Sequence, residues 1–274
     1  MTSTTNVEEV LAKAEMVEIE PKTGIAIKVE NTNGAMPDTA SGEENGHANG
    51  KDIEEVPKDK NVEEEKLEEE EISKEEVALE IEPKTGVAFP VKLDDGKLLK
   101  AVGVRKKTIL GMGIKIYGFG IYVDNEKLKE LVRAKIGKAP AKPTKELYQT
   151  VVDSDIGMTV RMVIAYSNLT MNMVKKSFDE GLGAAIKKLT GKKNDKLTKE
   201  VMGQASDNIK LSVGSAIEIA KLPGYVLQTT VKGEVVSTVQ NELLCRAYIY
   251  LYLGDDAFDK DAKEKFGMSL LSLF

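Results

Sequence analysis

The sequence predicts an α+β fold in which α-helices cover one face of a β-sheet. Three observations lead to this prediction. Strand-like segments dominate from residue 80 onward, helical periodicities gather late in the chain, and the two do not alternate in the regular β-α-β order of a parallel sheet. Residues 80–274 amount to about one domain of ordinary size, so we expect a single folded body that begins near residue 80 of the 274-residue chain.

The first predicted strands of this body lie between residues 80 and 124. The segment EIEPKTGVAFPV (80–91) places a PKTG turn before a short apolar alternation, the pattern of an opening strand. PVKLDDGKLLKAVGVRKK predicts two short strands around Asp95-Gly96, a dipeptide typical of tight hairpins. GIKIYGFGIYVD predicts a longer strand, in which Gly118 and Gly120 mark places where a backbone or a ligand approaches closely.

Two predicted helices and a strand follow. NEKLKELVRAKIGK predicts a helix capped by Asn125, with one apolar face formed by Leu128, Leu131, Val132 and Ile136. GMTVRMVIAYS predicts a strand. After it, either Thr170 or Asn172 can cap a helix over MVKKSFDEGLGAAIKKLT, whose apolar stripe consists of Val174, Phe178, Ala185 and Leu189.

The remaining segments predict a strand, a hairpin and two closing helices. SAIEIAKLPGYVLQTTVKGEVVSTVQ alternates apolar and polar residues, as half-buried strands do, and turns at Lys232-Gly233. NELLCRAYIYLYLG and KDAKEKFGMSLLSLF have helical spacing of their apolar residues. Helices therefore close the chain.

An acidic arm precedes the predicted body. Residues 1–79 contain 8 Lys and Arg against 22 Asp and Glu, a net charge of −14, whereas residues 80–274 carry a net charge of +8. The arm has no aromatic residue, and a segment with few large apolar groups and a high net charge cannot bury enough surface to offset its ordering entropy. We therefore predict a disordered arm, which is either a solvating tail or a segment that binds a protein partner.

One segment occurs twice. EIEPKTGIAIKV at residues 18–29 returns as EIEPKTGVAFPV at residues 80–91, and the first seven residues are identical. The second copy runs into dense apolar sequence and the first runs into a linker, so we predict that the second copy opens the fold. The first copy is then either disordered or a competitor for the same sheet edge.

Two scarce residue types narrow the possible chemistry. The only histidine, His47, lies in the acidic arm, which excludes Ser-His-Asp, Cys-His and histidine-rich metal sites from residues 80–274. The only cysteine, Cys245, has no partner for an internal disulfide and suits a reducing compartment. Its apolar surroundings, ELLCRAYIYLYL, predict a buried and unreactive thiol. We expect neither a metal nor another cofactor.

The sequence shows no targeting pattern. No apolar run has the length that a bilayer requires, and the N-terminal MTSTTNVEEVLAKAEMVEIE lacks the basic-then-apolar order of a signal peptide. Its early glutamates also argue against an organelle transit peptide. We therefore expect a cytoplasmic protein, with no nucleic acid among its partners.

Arg105 and Tyr117 are the candidate site residues. Arg105 follows the apolar VGV and precedes KKTIL, which allows two interpretations. It is either an ordinary cation at a strand end or a guanidinium at a cavity mouth that offers N–H donors to a carboxylate or an enolate-like oxygen. Tyr117, twelve residues later on a predicted strand, can turn its hydroxyl toward the same anion. The spacing alone does not choose between these interpretations.

Three longer motifs resemble, in order, the chalcone isomerase-like superfamily. They are VGVRKKTILGMGIKIYGFGIYVD, MTVRMVIAYSNLTMNMVKKSF and LPGYVLQTTVKGEVVSTVQNELLCRAYIYLYLG. The resemblance covers about residues 80–274, and several motifs in order are far more specific than a single pattern. It implies an open-faced β-sandwich, in which a large antiparallel sheet is backed by a layer of helices and the ligand cleft lies between them.

One branch of that superfamily consists of chalcone-flavanone isomerases, which close a flavonoid ring by an intramolecular oxa-Michael addition. Arg105 stands at a position similar to their catalytic arginine, which polarises the ketone, but Tyr117 stands where they carry a threonine. Asn172 falls near their active-site tyrosine and Asp179 near their asparagine. Glu234 falls near a late Thr or Ser. An intramolecular lyase of this type is therefore the alternative function.

A second branch fits the motifs better. RKK, a Gly-containing turn and a tyrosine on the following strand look like the fatty-acid-binding members. This resemblance implies that Arg105 and Tyr117 hold a carboxylate while an acyl chain lies between sheet and helices. We therefore predict a non-catalytic binder of a fatty acid or a similar small carboxylate. A flavonoid-like ligand, or a role as an auxiliary partner protein of flavonoid synthesis, is the further alternative.

Overall fold

The computed structural model describes residues 78–109, 112–203, 205–207 and 209–274. The predictions made for residues 1–77, among them the disordered arm and the role of the first repeat copy, lie outside the described residues. Within the described part, the chain forms eight strands and six helices of the kinds that an α+β fold combines.

The strands form two antiparallel sheets. The bounds are β1 (Leu79–Glu82), β2 (Val87–Pro90), β3 (Leu98–Ile109), β4 (Met112–Val123), β5 (Met158–Ile164), β6 (Ala216–Leu222), β7 (Val226–Val231) and β8 (Glu234–Gln240). The first two strands pair only with each other, whereas the other six form one sheet in the order β3-β4-β5-β6-β7-β8. Each strand of the large sheet thus lies beside its neighbours in the chain, and the predicted antiparallel sheet is confirmed.

The helices cover one face of the large sheet. They are α1 (Asn125–Ile136), α2 (Lys145–Asp153), α3 (Met171–Thr190), α4 (Asp195–Thr198), α5 (Glu242–Leu253) and α6 (Lys260–Leu271). Alternate residues of each strand point to one face, and on β4 the inward residues Phe119, Ile121 and Val123 share one core with Leu244 and Ile249 of α5. Among the described residues, no helix is both long enough and apolar enough to cross a membrane.

The structure confirms one predicted helix cap and corrects another. Thr170 caps α3, because its hydroxyl accepts a hydrogen bond from the backbone N–H of Met173 at 3.2 Å. The cap of α1 is not Asn125 but the residue before it. The Asp124 carboxylate accepts the backbone N–H of Lys127 at 3.2 Å. Aspartate caps helices as well as asparagine does, and this leaves Asn125 as the first helical residue.

The structure also corrects the bounds of several predicted elements. Two helices are not predicted from the sequence: α2, which Thr144 caps through its hydroxyl, and α4, a single turn. The sequence pattern predicts two short strands around Asp95-Gly96. In the structure only an isolated bridge between Lys92 and Leu98 flanks this turn, and a strand of 12 residues follows it. The strand is long because it pairs along nearly all of β4.

The turn between β7 and β8 lies where the sequence predicts it. Lys232 and Gly233 have φ angles of 52° and 87°. Two consecutive residues with positive φ are typical of the type I′ turn, whose twist matches that of the flanking strands. The predicted hairpin is therefore confirmed.

The β1–β2 hairpin packs on the sheet face that points away from the helices. Phe89 of β2 forms a small core with Val102 and Tyr122, the outward residues of β3 and β4. The hairpin turn is held by the buried Glu82 carboxylate, which accepts hydrogen bonds from the backbone N–H and the hydroxyl of Thr85 at 2.8 and 2.6 Å. This turn is the PKTG segment of the second repeat copy.

Gly118 and Gly120 of β4 allow the hairpin to approach the sheet. A Cβ atom at Gly118 would lie 2.9 Å from the Thr85 hydroxyl oxygen, and one at Gly120 would lie 3.0 Å from side-chain atoms of Leu99 and Phe89. The close approach that the sequence predicts at these glycines is therefore that of the protein's own hairpin, on the face opposite the helices.

Candidate functional site

Arg105 and Tyr117 lie opposite each other on neighbouring strands. Arg105 of β3 is the register partner of Tyr117 of β4. Residues in direct register across an antiparallel pair project from the same face of the sheet, with Cβ atoms about 5 Å apart. Tyr117 belongs to the core between the sheet and the helices, so both side chains point toward the helices. The structure brings together the two residues that the sequence analysis singled out.

The Arg105 guanidinium is half-buried and borders a cleft of about 330 Å³. Its Cζ atom lies 3.7 Å from the centre of the Phe258 ring, a cation–π contact. No hydrogen bond or ion pair joins the guanidinium to any residue that the structure describes. Its N–H donors are therefore available to an anion.

Charged and apolar side chains surround the cleft. Besides Arg105, the lining consists of Lys107, Ser177, Glu180, Gly181, Ala184, Ala185, Lys188, Tyr250, Leu251, Asp256 and Phe258. Lys188 and Asp256 pair with each other at 3.1 Å, and both are exposed. Lys107 lies two residues after Arg105 on β3 and so adds a second positive charge on the same side of the strand.

Tyr117 is buried, with 8% of its surface exposed. Burial raises the pKa of its hydroxyl well above the usual value, Tyr252 raises it further, and the charge of Arg105 lowers it. A phenol with a raised pKa stays protonated at neutral pH. Tyr117 therefore offers a hydrogen-bond donor beside the guanidinium.

An inner cavity of about 30 Å³ lies beside Tyr117. Its other lining residues are mostly apolar: Ile116, Met162, Ile164, Leu169, Met173, Val174, Ser177, Phe178 and Ile217. This volume holds about one water-sized group. Ser177 of α3 borders both the inner cavity and the Arg105 cleft, so α3 is the helix that adjoins both spaces.

Buried aromatic rings connect the cleft with Tyr117. The Tyr252 ring of α5 contacts Phe258 at 5.4 Å and Phe119 at 5.0 Å between ring centres, both edge to face. It also contacts Tyr248 at 5.5 Å, and Phe119 contacts Tyr117 at 6.4 Å. This cluster was not predicted from the sequence. The spacing of Tyr248 and Tyr252, one helical turn apart, is the signal that could have found part of it.

The other positions compared with isomerase residues do not gather at Arg105. Asn172 and Asp179 of α3 line a different cleft, of about 390 Å³, together with three lysines. Glu234 is exposed at the start of β8. None of the three borders the Arg105 cleft or the inner cavity.

Cys245 is buried, as its apolar surroundings predict. Burial raises the pKa of its thiol to about 12, and the nearby Lys221 acts in the opposite direction. Because the thiolate is the reactive form, this thiol is a poor nucleophile. Neither Cys245 nor Lys221 borders the Arg105 cleft or the inner cavity.

Known proteins match this chain over most of the described residues. A family described as chalcone isomerase-like matches residues 82–266. Chalcone isomerase-like protein 1 of Humulus lupulus is 62% identical over 200 residues, which are 72% of this chain and 94% of that protein. Fatty-acid-binding protein 1 of Arabidopsis thaliana is 38% identical over 190 residues, which are 68% of this chain and 68% of that protein.

A solved structure has the same fold. The crystal structure of a fatty-acid-binding protein of Arabidopsis thaliana matches this chain with a TM-score of 0.67 and 36% sequence identity. The match covers 72% of this chain and 98% of that chain. The antiparallel sheet with its layer of helices is therefore an architecture shared with a solved protein, as the three sequence motifs imply.

Proposed function

Because the chain belongs to the chalcone isomerase-like family, we propose that it binds a fatty acid or a similar small carboxylate without converting it. Arg105 and Tyr117 hold the carboxylate, and the hydrocarbon tail lies between the sheet and the helices. A relative and a structural neighbour that are named fatty-acid-binding proteins support this ligand class.

The observation that carries the proposal is an unpaired guanidinium beside a buried phenol. Arginines that leave water are normally paired with an acidic group, but Arg105 only stacks on Phe258 among the residues described. A carboxylate in the cleft supplies the missing partner. The protonated Tyr117 then donates a second hydrogen bond, and charge-assisted hydrogen bonds of this kind are about twice as strong as neutral ones.

The hydrocarbon tail needs more room than the inner cavity offers. A CH₂ group is nearly as large as a water molecule, so about 30 Å³ leaves no space for a tail of several carbons. Side chains of α3 must therefore move when a tail enters. Met173 borders the cavity and is only partly buried, and its unbranched side chain adapts readily. Each buried CH₂ contributes about 0.8 kcal/mol, so the tail supplies most of the affinity.

Arg105→Gln tests the proposed carboxylate anchor. We expect this change to weaken the binding of dodecanoate by about 1–3 kcal/mol, roughly 5- to 150-fold, because one charge-assisted partner is lost. Lys106→Gln is the matched control. It removes one positive charge from the next residue of β3, which is exposed and projects from the other side of the strand. Isothermal calorimetry of both variants measures the difference.

Two results would count against the proposal in different ways. Equal dodecanoate affinity of wild type and Arg105→Gln would refute the anchor and leave the ligand class standing. Absence of binding of both dodecanoate and hexadecanoate to the wild-type protein would refute the ligand class itself.

A further inference from the structure

We propose that Tyr252 is a positioning residue of the anion site: its hydroxyl, set between those of Tyr117 and Tyr248, orients the Tyr117 hydroxyl toward an anion bound at Arg105. The inference rests on the proposed function, because it assigns a further residue to the same site. It means that a chain of three tyrosine hydroxyls holds the anion, where the sequence motifs indicate only one.

The packing of Tyr252 fixes the direction of its hydroxyl. The side chain is buried, with 2% of its surface exposed. Its ring is held by Phe258, the ring beneath the Arg105 guanidinium, and by Phe119, which follows Tyr117 on the same face of β4. A ring in edge contact with neighbours on several sides has little freedom to turn. Its hydroxyl therefore points to one place in the core.

That place lies in the aromatic cluster that contains Tyr117 and Tyr248: the Tyr252 ring centre is 5.5 Å from that of Tyr248 and 5.0 Å from that of Phe119, whose ring contacts Tyr117. Burial raises the pKa of Tyr252 well above its usual value, Tyr248 raises it further, and Tyr117 and the charge of Arg105 lower it. The pKa of Tyr117 responds to Tyr252 and to Arg105 in turn. All three phenols stay protonated at neutral pH, and each is a potential donor.

The two deeper hydroxyls have poor acceptors in the structure. Tyr252 donates to the sulfur of Met162 at 3.6 Å, a weak acceptor. The buried Tyr248 hydroxyl lies near Tyr252 but has no partner of ordinary hydrogen-bond geometry among the described residues. Buried hydroxyls without good partners cost free energy. We expect the binding of an anion to reduce this free-energy cost.

An anion at the guanidinium gives the Tyr117 hydroxyl a strong acceptor. It accepts a hydrogen bond from Tyr117, whose oxygen then accepts from Tyr252. The oxygen of Tyr252 in turn accepts from Tyr248. Successive hydrogen bonds in a chain polarise one another and become stronger. The contribution of Tyr252 to binding therefore acts through Tyr117 and appears only with an anionic ligand.

Tyr122 provides a matched control for the hydroxyl itself. It is buried on β4 and its hydroxyl also has no hydrogen-bond partner among the described residues. Its side chain packs with Phe89 under the β1–β2 hairpin, on the face away from Arg105. Tyr122→Phe therefore removes the same atom from a similarly buried setting without changing the cleft.

Tyr252→Phe tests the proposal, because it removes the hydroxyl and keeps the ring contacts. We expect dodecanoate affinity, measured by calorimetry, to fall about 3- to 10-fold in Tyr252→Phe and to stay unchanged in Tyr122→Phe. The affinity for dodecan-1-ol, which carries no charge, should be the same in wild type and Tyr252→Phe. A purely structural effect of the substitution would weaken the binding of both dodecanoate and dodecan-1-ol.

The double variant shows whether Tyr252 acts through Tyr117. In the Tyr117→Phe background, Tyr252→Phe should cause no further loss, since the hydroxyl that it positions is gone. Additive losses, or equal dodecanoate affinity of wild type and Tyr252→Phe, would overturn the positioning role. The proposed function would still stand if Arg105→Gln weakens binding. Absence of dodecanoate binding by the wild type would overturn both.

Discussion

Lys221 of β6 has its entire side chain inside the core, where its Nζ atom donates a hydrogen bond to the backbone oxygen of Ser154 at 2.7 Å. Burial lowers the pKa of the ammonium group from 10.5 to about 8, against the opposite effects of Cys245, Asp155 and Asp153. Unfolding returns the group to water and to its usual pKa. Between pH 8 and 10.5 the unfolded chain therefore binds more protons than the folded one, and the free energy of unfolding rises with pH.

We expect the wild-type protein to gain up to about 3 kcal/mol of stability relative to Lys221→Met between pH 8 and 10.5. The methionine keeps an unbranched apolar stem and does not titrate. Below pH 8 the lysine is protonated in both states, so the difference between the proteins should be constant there. Urea unfolding of both proteins across this pH range measures the difference between their free energies of unfolding. Cys245 and the buried tyrosines titrate in both proteins, so their contributions largely cancel in this difference. A difference that does not change with pH would contradict the buried, titrating lysine.

Arg105 and Tyr117 could be predicted from the sequence because they lie in motifs that resemble a known family. The residues that surround them in the structure could not be predicted in this way. Phe258 and Tyr252 come from segments more than a hundred residues later in the chain, and tertiary packing decides which rings lie near the guanidinium. Periodicity indicates which face of a helix is buried, but not what that face meets.

Among the secondary-structure elements, the β1–β2 hairpin depends on the glycines beneath it. Gly118→Val would place a Cβ 2.9 Å from the Thr85 hydroxyl, which donates to the Glu82 carboxylate in the hairpin turn. We expect this change to lower the free energy of unfolding by about 1–3 kcal/mol through overpacking. Gly113→Val is the matched control on the same strand, because no atom lies within 4 Å of a Cβ there. Urea unfolding of both variants provides the comparison.

Ligand binding by the same variants separates the hairpin from the cleft. The hairpin covers the face away from Arg105, so folded Gly118→Val should bind dodecanoate as tightly as the wild type does. A loss of affinity with unchanged stability would show instead that a ligand approaches Gly118.

The strands and helices were predictable to different degrees, for physical reasons. β6 and β7 alternate strictly between buried and half-buried residues, so a period of two reveals them. In β3 the register with β4 shifts between Leu99 and Ala101 and again between Arg105 and Lys106, which interrupts the alternation and hides the length of the strand. α2 has only 9 residues, too few turns for a helical stripe to be distinct.

For the molecule as a whole, the described strands indicate where a truncation should end. The pairing of β1 with β2 starts at Leu79, and the backbone oxygen of Ala78 accepts the N–H of Val91 at 2.8 Å. We expect removal of residues 1–77 to shift the melting temperature by less than roughly 2 °C, because this segment has no aromatic residue and little core-forming sequence.

Removal of residues 1–82 is the comparison, since it also deletes β1 and the Glu82 carboxylate that holds the turn. This longer truncation should lower the melting temperature clearly in calorimetry at the same salt concentration. A large drop with the shorter truncation would mean that the first EIEPKTG copy, or sequence beside it, belongs to the fold.

Two predictions about the whole chain rest on the sequence alone. The acidic arm, with its net charge of −14, remains predicted to be either a solvating tail or a segment that binds a protein partner, and the cytoplasmic location remains a prediction. Composition indicates both features. It does not specify the surface that a partner protein binds or the signal that directs a protein to a compartment.

The division of the site between sheet and helix has an evolutionary consequence. The hydrogen-bonded register of β3 and β4 fixes Arg105 opposite Tyr117, while one wall of the inner cavity consists of Met173, Val174 and Phe178 of α3. Under the proposed function, recognition of the head group and recognition of the tail are thus modular. If the chain binds as proposed, substitutions on a single helix would change the length or shape of the hydrocarbon that a descendant accepts, while the strand pair would keep its affinity for an anion.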